Sequence, residues 1–144
     1  MATGAKAAYG SLLKIGDGGG TEVFTTVAEV TKLVGPKMKL DTKDVTSHSS
    51  PNAAREFIAT LLDAGEVTAD LNWIPSNATQ SYSSGLLRDM WSRNLRNFQI
   101  VFSDLVNTTW TFAAFVVGFD PSAPFDAELG VSVTLKLTGK PTLA

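Results

Sequence analysis

Two stretches of the chain alternate apolar and polar residues without error, and they restrict the fold more than any other feature. From Glu66 to Trp73, Val67, Ala69, Leu71 and Trp73 oppose Glu66, Thr68, Asp70 and Asn72; from Leu129 to Thr138, Leu129, Val131, Val133, Leu135 and Leu137 oppose Gly130, Ser132, Thr134, Lys136 and Thr138. Successive strand side chains point to opposite faces, so this period of two specifies strands with one buried and one wet side. A chain with two such strands must build a sheet over a core.

The remaining segments supply the rest of that sheet. Residues 1–21 are small, polar and glycine-rich, ending in Gly16-Asp17-Gly18-Gly19-Gly20, and read as a flexible N-terminal arm with a short edge strand at Ser11–Ile15. Glu22–Val34 is rich in valine, threonine and phenylalanine and reads as one long strand, with Lys37–Val45 returning as a hairpin arm after Gly35-Pro36. Residues 41–52 are polar and loop-like. Ser50 and Pro51 then look like the start of a helix, because Ala54, Phe57, Ile58, Leu61 and Leu62 recur at helical spacing until Gly65. A second helix is expected from Asn77, with Gln80 completing a capping box and Tyr82, Leu86, Leu87, Met90 and Trp91 as its apolar stripe. Arg96–Phe102 and Thr108–Phe119 are strands, and Pro141 is expected to end the last one. The fold class is mainly β with one or two flanking α-helices: an antiparallel β-sandwich or small barrel, in a single domain.

Composition narrows the function. With 144 residues, 12 Lys and Arg against 14 Asp and Glu, and no cysteine, the chain has no basic surplus to displace phosphate counterions, no disulfide and no thiolate chemistry. Its longest apolar run, Phe112–Phe119, is too short to span a membrane, and no stretch of the N-terminus resembles a signal peptide. The Asn77 and Asn107 N-x-T sequons are read as chance matches.

No constellation carries chemistry. The glycine run leads into a strand and lacks the lysine of a phosphate loop. His48, the sole histidine, sits in a serine-rich loop with no carboxylate within three residues, which suits neither a metal site nor a catalytic base. Glu66 and Asp70 lie four strand residues, about 13 Å, apart, farther than paired glycosidase carboxylates. Trp73, Trp91 and Trp110 fall on apolar faces and read as core. The expected chain has no catalytic residues, metal or cofactor.

Four segments in order carry a resemblance: the run Lys14 to Thr31 (KIGDGGGTEVFTTVAEVT), Arg55 to Val67 (REFIATLLDAGEV), Leu95 to Phe102 (LRNFQIVF), and the ending Val131 to Pro141. Together they resemble the major tail tube protein of lambda-like, long non-contractile-tailed bacteriophages. The resemblance implies a non-enzymatic virion subunit whose six copies close a ring with a continuous inner barrel. Rings would stack into a tube through which DNA passes in transit. It implies itself as main partner, with tape measure, tail terminator and tail tip proteins, no membrane, and assembly in the host bacterial cytoplasm. The lambda-type protein also carries a C-terminal immunoglobulin-like domain, which is not expected within these residues. Tubes of contractile tails and type VI secretion systems share the fold, and a small-ligand-binding β-barrel is the reading from another class. Candidate channel-lining residues are Glu66, Thr68, Asp70 and Asn72 on one strand and Ser132, Thr134, Lys136 and Thr138 on the other. Candidate ring-stacking residues are Asp41, Thr42, Lys43, Asp44, His48 and Ser50 in the polar loop.

Overall fold

The computed structural model of the protein describes residues 3–144, so the first two residues of the expected arm lie outside the described residues. Among them the chain runs β1 (Leu12–Gly16), β2 (Phe24–Thr26), β3 (Val30–Val34), β4 (Lys39–Asp44), β5 (Phe57–Asp63), β6 (Glu66–Asn72), α1 (Leu86–Ser92), β7 (Arg96–Val101), β8 (Thr109–Ser122) and β9 (Gly130–Leu143). Seven strands pair antiparallel in the order β2-β1-β7-β8-β9-β6-β3, and β4 and β5 form a separate ribbon.

Connectivity forces the large sheet to curl. β2 and β3 are its two outermost strands, yet only Val27, Ala28 and Glu29 separate them in the chain. A link of this length spans at most about 14 Å, so the two edges must approach each other. The Val27 amide donates to the Leu13 carbonyl (2.8 Å), and the Glu29 carbonyl accepts from the Asn72 amide (3.0 Å), which stitches β1 to β6. The result is the small antiparallel barrel with one flanking helix that the alternation implied.

The alternating strands fill its interior. Val67, Ala69 and Leu71 of β6, Val131, Val133, Leu135 and Leu137 of β9, and Leu13, Phe98, Ile100, Phe112 and Ala114 are buried in one cluster, and the Phe98 and Phe112 rings stack with centroids 6.0 Å apart. A buried polar group holds the seam. Gln80 accepts from the Ile74 amide (2.8 Å) and donates to the carbonyls of Ala28 (2.8 Å) and Asn72 (3.2 Å), so all three bonds tie the segment before α1 across the β3 side of the barrel. Gln80 is thus an interior clip, not the capping residue expected of a helix at Asn77. The Asn77 carboxamide instead accepts from the Thr79 amide, and helix begins only at Leu86.

Four further expectations are corrected. The helix expected after Pro51 is a single 3-10 turn at Pro51–Ala53 followed by strand β5. Residues 57, 58, 61 and 62 satisfy helical spacing, but a bulged strand accommodates them too: Phe57 and Leu62 share one face and Ile58 lies on the other, with the bulge between Ala59 and Leu62. Pairing with β4 decides the matter, since Leu40 faces Leu62 and Asp44 faces Phe57. The long strand Glu22–Val34 is broken at the seam, and the short strand near Ser11 is β1, flanked by β2 and β7 and not at an edge. Pro141 does not end β9. There β9 pairs only with β8, so the missing amide hydrogen leaves no ladder bond unmade.

The ribbon joins the barrel through its root. Gly65, at φ +76°, crosses so close to Lys37 that a side chain there would collide with the Lys37 carbonyl. Its carbonyl accepts from the Leu137 amide (3.0 Å), and the Lys37 amide donates to Glu66 (3.1 Å).

Candidate assembly surfaces

The expected channel-lining residues are neighbours on one surface. In the β6–β9 register Glu66 faces Lys136, Thr68 faces Thr134, Asp70 faces Ser132 and Asn72 faces Gly130. What looked in the sequence like two wet faces is one, because antiparallel partners point to the same side of a sheet. The adjoining strands extend it, with Lys32 beside Asp70, Val34 beside Thr68, Asp120 beside Ser132 and Phe115 beside Lys136. Thr138 continues it opposite Ala113.

Sequence reasoning missed Lys32 and Asp120 on this surface, and both change its electrostatics. The Lys136 ammonium lies 3.6 Å from Asp63, not paired with the Glu66 that faces it in register. Asp63, Glu66, Asp70 and Asp120 against Lys32 and Lys136 leave two net negative charges, interleaved and not a pure acidic stripe. The Asp63–Lys136 pair is half exposed, so water and salt screen it and it adds little to stability.

The second surface is the ribbon. Every residue of β4 and β5 is exposed, including Leu40, Phe57, Ile58, Leu61 and Leu62. Both ribbon faces carry large apolar side chains, which is unlike the one-sided strands of the barrel. Of the candidate stacking residues, Asp41, Thr42, Lys43 and Asp44 belong to strand β4, correcting the loop reading there; His48 and Ser50 lie in the tip. The tip is hydrogen-bonded: Ser50 Oγ donates to Glu56 (2.9 Å), the Glu56 amide donates to Thr46 Oγ1 (2.8 Å), and Arg55 Nη1 lies 3.4 Å from Asp44.

A third set of exposed apolar groups surrounds α1. Trp91 is 65% exposed and leans on Tyr82, with ring centroids 6.3 Å apart, so Trp91 is not the core residue its stripe suggested. The seven-residue helix is too short to bury that side: Leu86 faces the core, and Asp89 is buried between Arg96 (2.9 Å) and Arg88 (3.1 Å). Trp73, by contrast, packs edge-on against Phe119 beside the core.

The glycine run is pinned by side chains. Asp17 Oδ1 accepts from the Gly19 and Val23 amides (2.8 and 3.3 Å), and Glu22 accepts from the Gly18 amide and from Asn97. Four aspartates hold turns in this way, and all have their pKa lowered below the usual value. The main causes are the Gly19 amide for Asp17, the Thr46 hydroxyl for Asp44, the Gly65 amide for Asp63 and the Thr108 hydroxyl for Asp104. A depressed folded pKa adds stability above the unfolded value and loses it as pH falls through the folded one. The melting temperature is therefore expected to be level from pH 8 to 5 and to drop below about pH 4. Thermal melts monitored by circular dichroism check this, and a curve unchanged down to pH 2.5 would show that these turns contribute nothing.

Comparison with known proteins follows the same geometry. The fold is similar to the tail of an empty gene transfer agent particle refined with helical C6 symmetry (TM-score 0.78, 16% identity, 97% of this chain and 99% of that one). It is also similar to a chain of the native gene transfer agent virion (0.74, 14%, 97% and 99%). A third likeness is to the sheath/tube terminator of the PVC extracellular contractile injection system in the extended state (0.71, 12%, 97% and 96%). Comparison with curated protein sequences finds no match. At the level of sequence families, the model of the lambda phage tail tube protein, TTP, matches residues 15–144. The chain belongs to the lambda phage tail tube protein family.

Proposed function

We propose that this structural tail tube subunit closes into rings of six, and that the rings stack around a channel for DNA in the virion tail. The observation that carries the reading is the ribbon: a two-stranded hairpin is at best marginally stable in water, and one with leucines and phenylalanine exposed on both faces calls for cover from neighbouring copies. The C6 symmetry of the gene transfer agent tail supports the number six. Tail terminator, tape measure and tail tip proteins are the further partners in this reading, with assembly in the host cytoplasm, no catalytic role and no C-terminal immunoglobulin-like domain among these residues. The ribbon tip, with Asp44, His48 and Ser50, makes the stacking contact. A heterologous contact that closes gives a ring, and ring faces then repeat along an axis. Light scattering and negative-stain electron microscopy of the purified chain test this: concentration-dependent rings or tubes are expected, and a chain monomeric across millimolar concentration and raised salt would overturn it.

In this reading the wet face of β6 and β9 lines the channel. A net negative wall keeps phosphates from adhering. Replacing Glu66 and Asp70 by lysine is expected to keep the fold with a small loss of stability, because the positions carry no core packing but each new lysine faces a lysine across the register, Lys136 or Lys32, while tubes come to bind DNA in a salt-sensitive way. Sedimentation of tubes with labelled DNA measures it; tubes that still ignore DNA would remove the face from the lumen.

A further inference from the structure

At the seam, where the two edges of the sheet approach without pairing, an open groove of about 670 Å³ runs between the chain leading into β1 and the free edge of β3. Its walls are largely apolar, with Tyr9, Leu12, Val30, Leu33 and Phe102 among them. Lys32 and Glu29 are the charged residues lining it. Glu29 lies 3.4 Å from the carboxamide nitrogen of Asn72, which donates to it, whereas among the described residues no carboxylate stands within ion-pair distance of Lys32.

A projecting element of the same chain has the opposite character. The tip joining β8 and β9 reads Ala123-Pro124-Phe125-Asp126-Ala127-Glu128-Leu129, and Phe125 is fully exposed, touching nothing of its own chain that would bury it. Pro124 within the tip and the paired strands at its base restrict it, so less conformational freedom is lost when it docks. Charge is segregated along the sequence to match. No lysine or arginine occurs between Arg96 and Lys136, while the tip region carries Asp120, Asp126 and Glu128; residues 1–16 carry Lys6 and Lys14 and no carboxylate.

We infer that the β8–β9 tip of one copy docks in the seam groove of a second copy, with Phe125 between Tyr9, Val30 and Leu33, and Asp126 and Glu128 against Lys32 and Lys6. The contact is heterologous, since tip and groove are different surfaces, and so belongs to an interface that propagates from copy to copy. An aromatic anchor entering an apolar pocket inside a rim of opposite charges is the usual anatomy of an energetic hot spot. This inference rests on the self-assembly proposed above and names one of its contacts.

Two experiments on the full chain test it. The first measures the concentration at which scattering assemblies appear for wild type and for Phe125→Ser, with circular dichroism to confirm the fold. Because Phe125 is exposed, the variant is expected to fold as wild type and to need at least about tenfold more protein to assemble, the loss of one anchor side chain. The second uses the absence of native cysteine: Ala8→Cys and Ala127→Cys chains are mixed, assembled and treated with a short bis-maleimide. A linked pair containing one chain of each kind is expected, and only weakly from either variant alone. Wild-type assembly accompanied by an unchanged threshold for Phe125→Ser, or by no mixed cross-link, would overturn this contact and leave the tube reading standing. A wild-type chain that never assembles would overturn both.

Discussion

A chain carrying Ile58→Asp and Leu61→Asp is expected to keep its barrel and lose assembly altogether. Leu61 is 76% exposed and Ile58 is half exposed on β5, so neither contributes to the core around Phe98 and Leu135. Their removal changes little in the isolated chain. In the assembly proposed above the ribbon is covered by neighbouring copies, and a carboxylate buried there without a partner costs several kcal/mol. That cost recurs in every copy of every ring, which puts assembly out of reach at any practical concentration. Size-exclusion chromatography with light scattering, beside a thermal melt, reads both halves of the expectation. Tubes forming at the wild-type threshold would show that the ribbon is not an interface.

The second large effect lies inside the barrel. Phe98→Ala is expected to cost about 3 to 5 kcal/mol, the range for emptying a buried phenylalanine site. Phe98 is fully buried, stacks on Phe112, and sits on β7 between β1 and β8, where few neighbours can shift inward to fill the space. Against a total stability of about 5 to 15 kcal/mol the variant should be near the edge of folding at 37 °C. Urea unfolding of both chains measures the difference. A loss below about 1 kcal/mol would mean that the interior repacks and that the barrel is looser than its burial indicates.

The barrel was legible wherever one strand face is apolar and the other polar. Glu66–Asn72, Arg96–Val101 and most of β8 and β9 fall within two or three residues of the alternating segments, because burial on one side leaves a period of two in the residues themselves. The ribbon was illegible for the complementary reason. Phe57, Ile58, Leu61 and Leu62 are apolar on both sides of β5, and such a pattern fits a helix face as well as a two-sided strand; only the partner β4, distant in sequence, distinguishes them. The seam escaped for a similar cause. Val27–Glu29 continues the strand-like composition of its neighbours, and its break follows from β2 and β3 lying on opposite edges, a property of topology and not of local residues. Gln80 was noticed, but its polar chemistry suits a helix cap and a buried clip equally. For the assembly surfaces, the wet residues of β6 and β9 were found singly, whereas their union into one face, with Lys32 and Asp120 beside them, depends on strand register.

The root of the ribbon has a mechanical consequence. The ribbon leaves the barrel by two short crossings, at Gly65 and at Gly35–Lys37, and is steadied there by backbone hydrogen bonds, a half-exposed ion pair and a single small buried side chain, Ala64. Its tilt relative to the barrel is therefore soft, while the barrel itself, filled by Phe98, Phe112 and the β9 valines, is stiff. In the tube proposed above, bending is expected to collect at these hinges, the spacing between subunit layers opening on one side and closing on the other while each barrel keeps its shape.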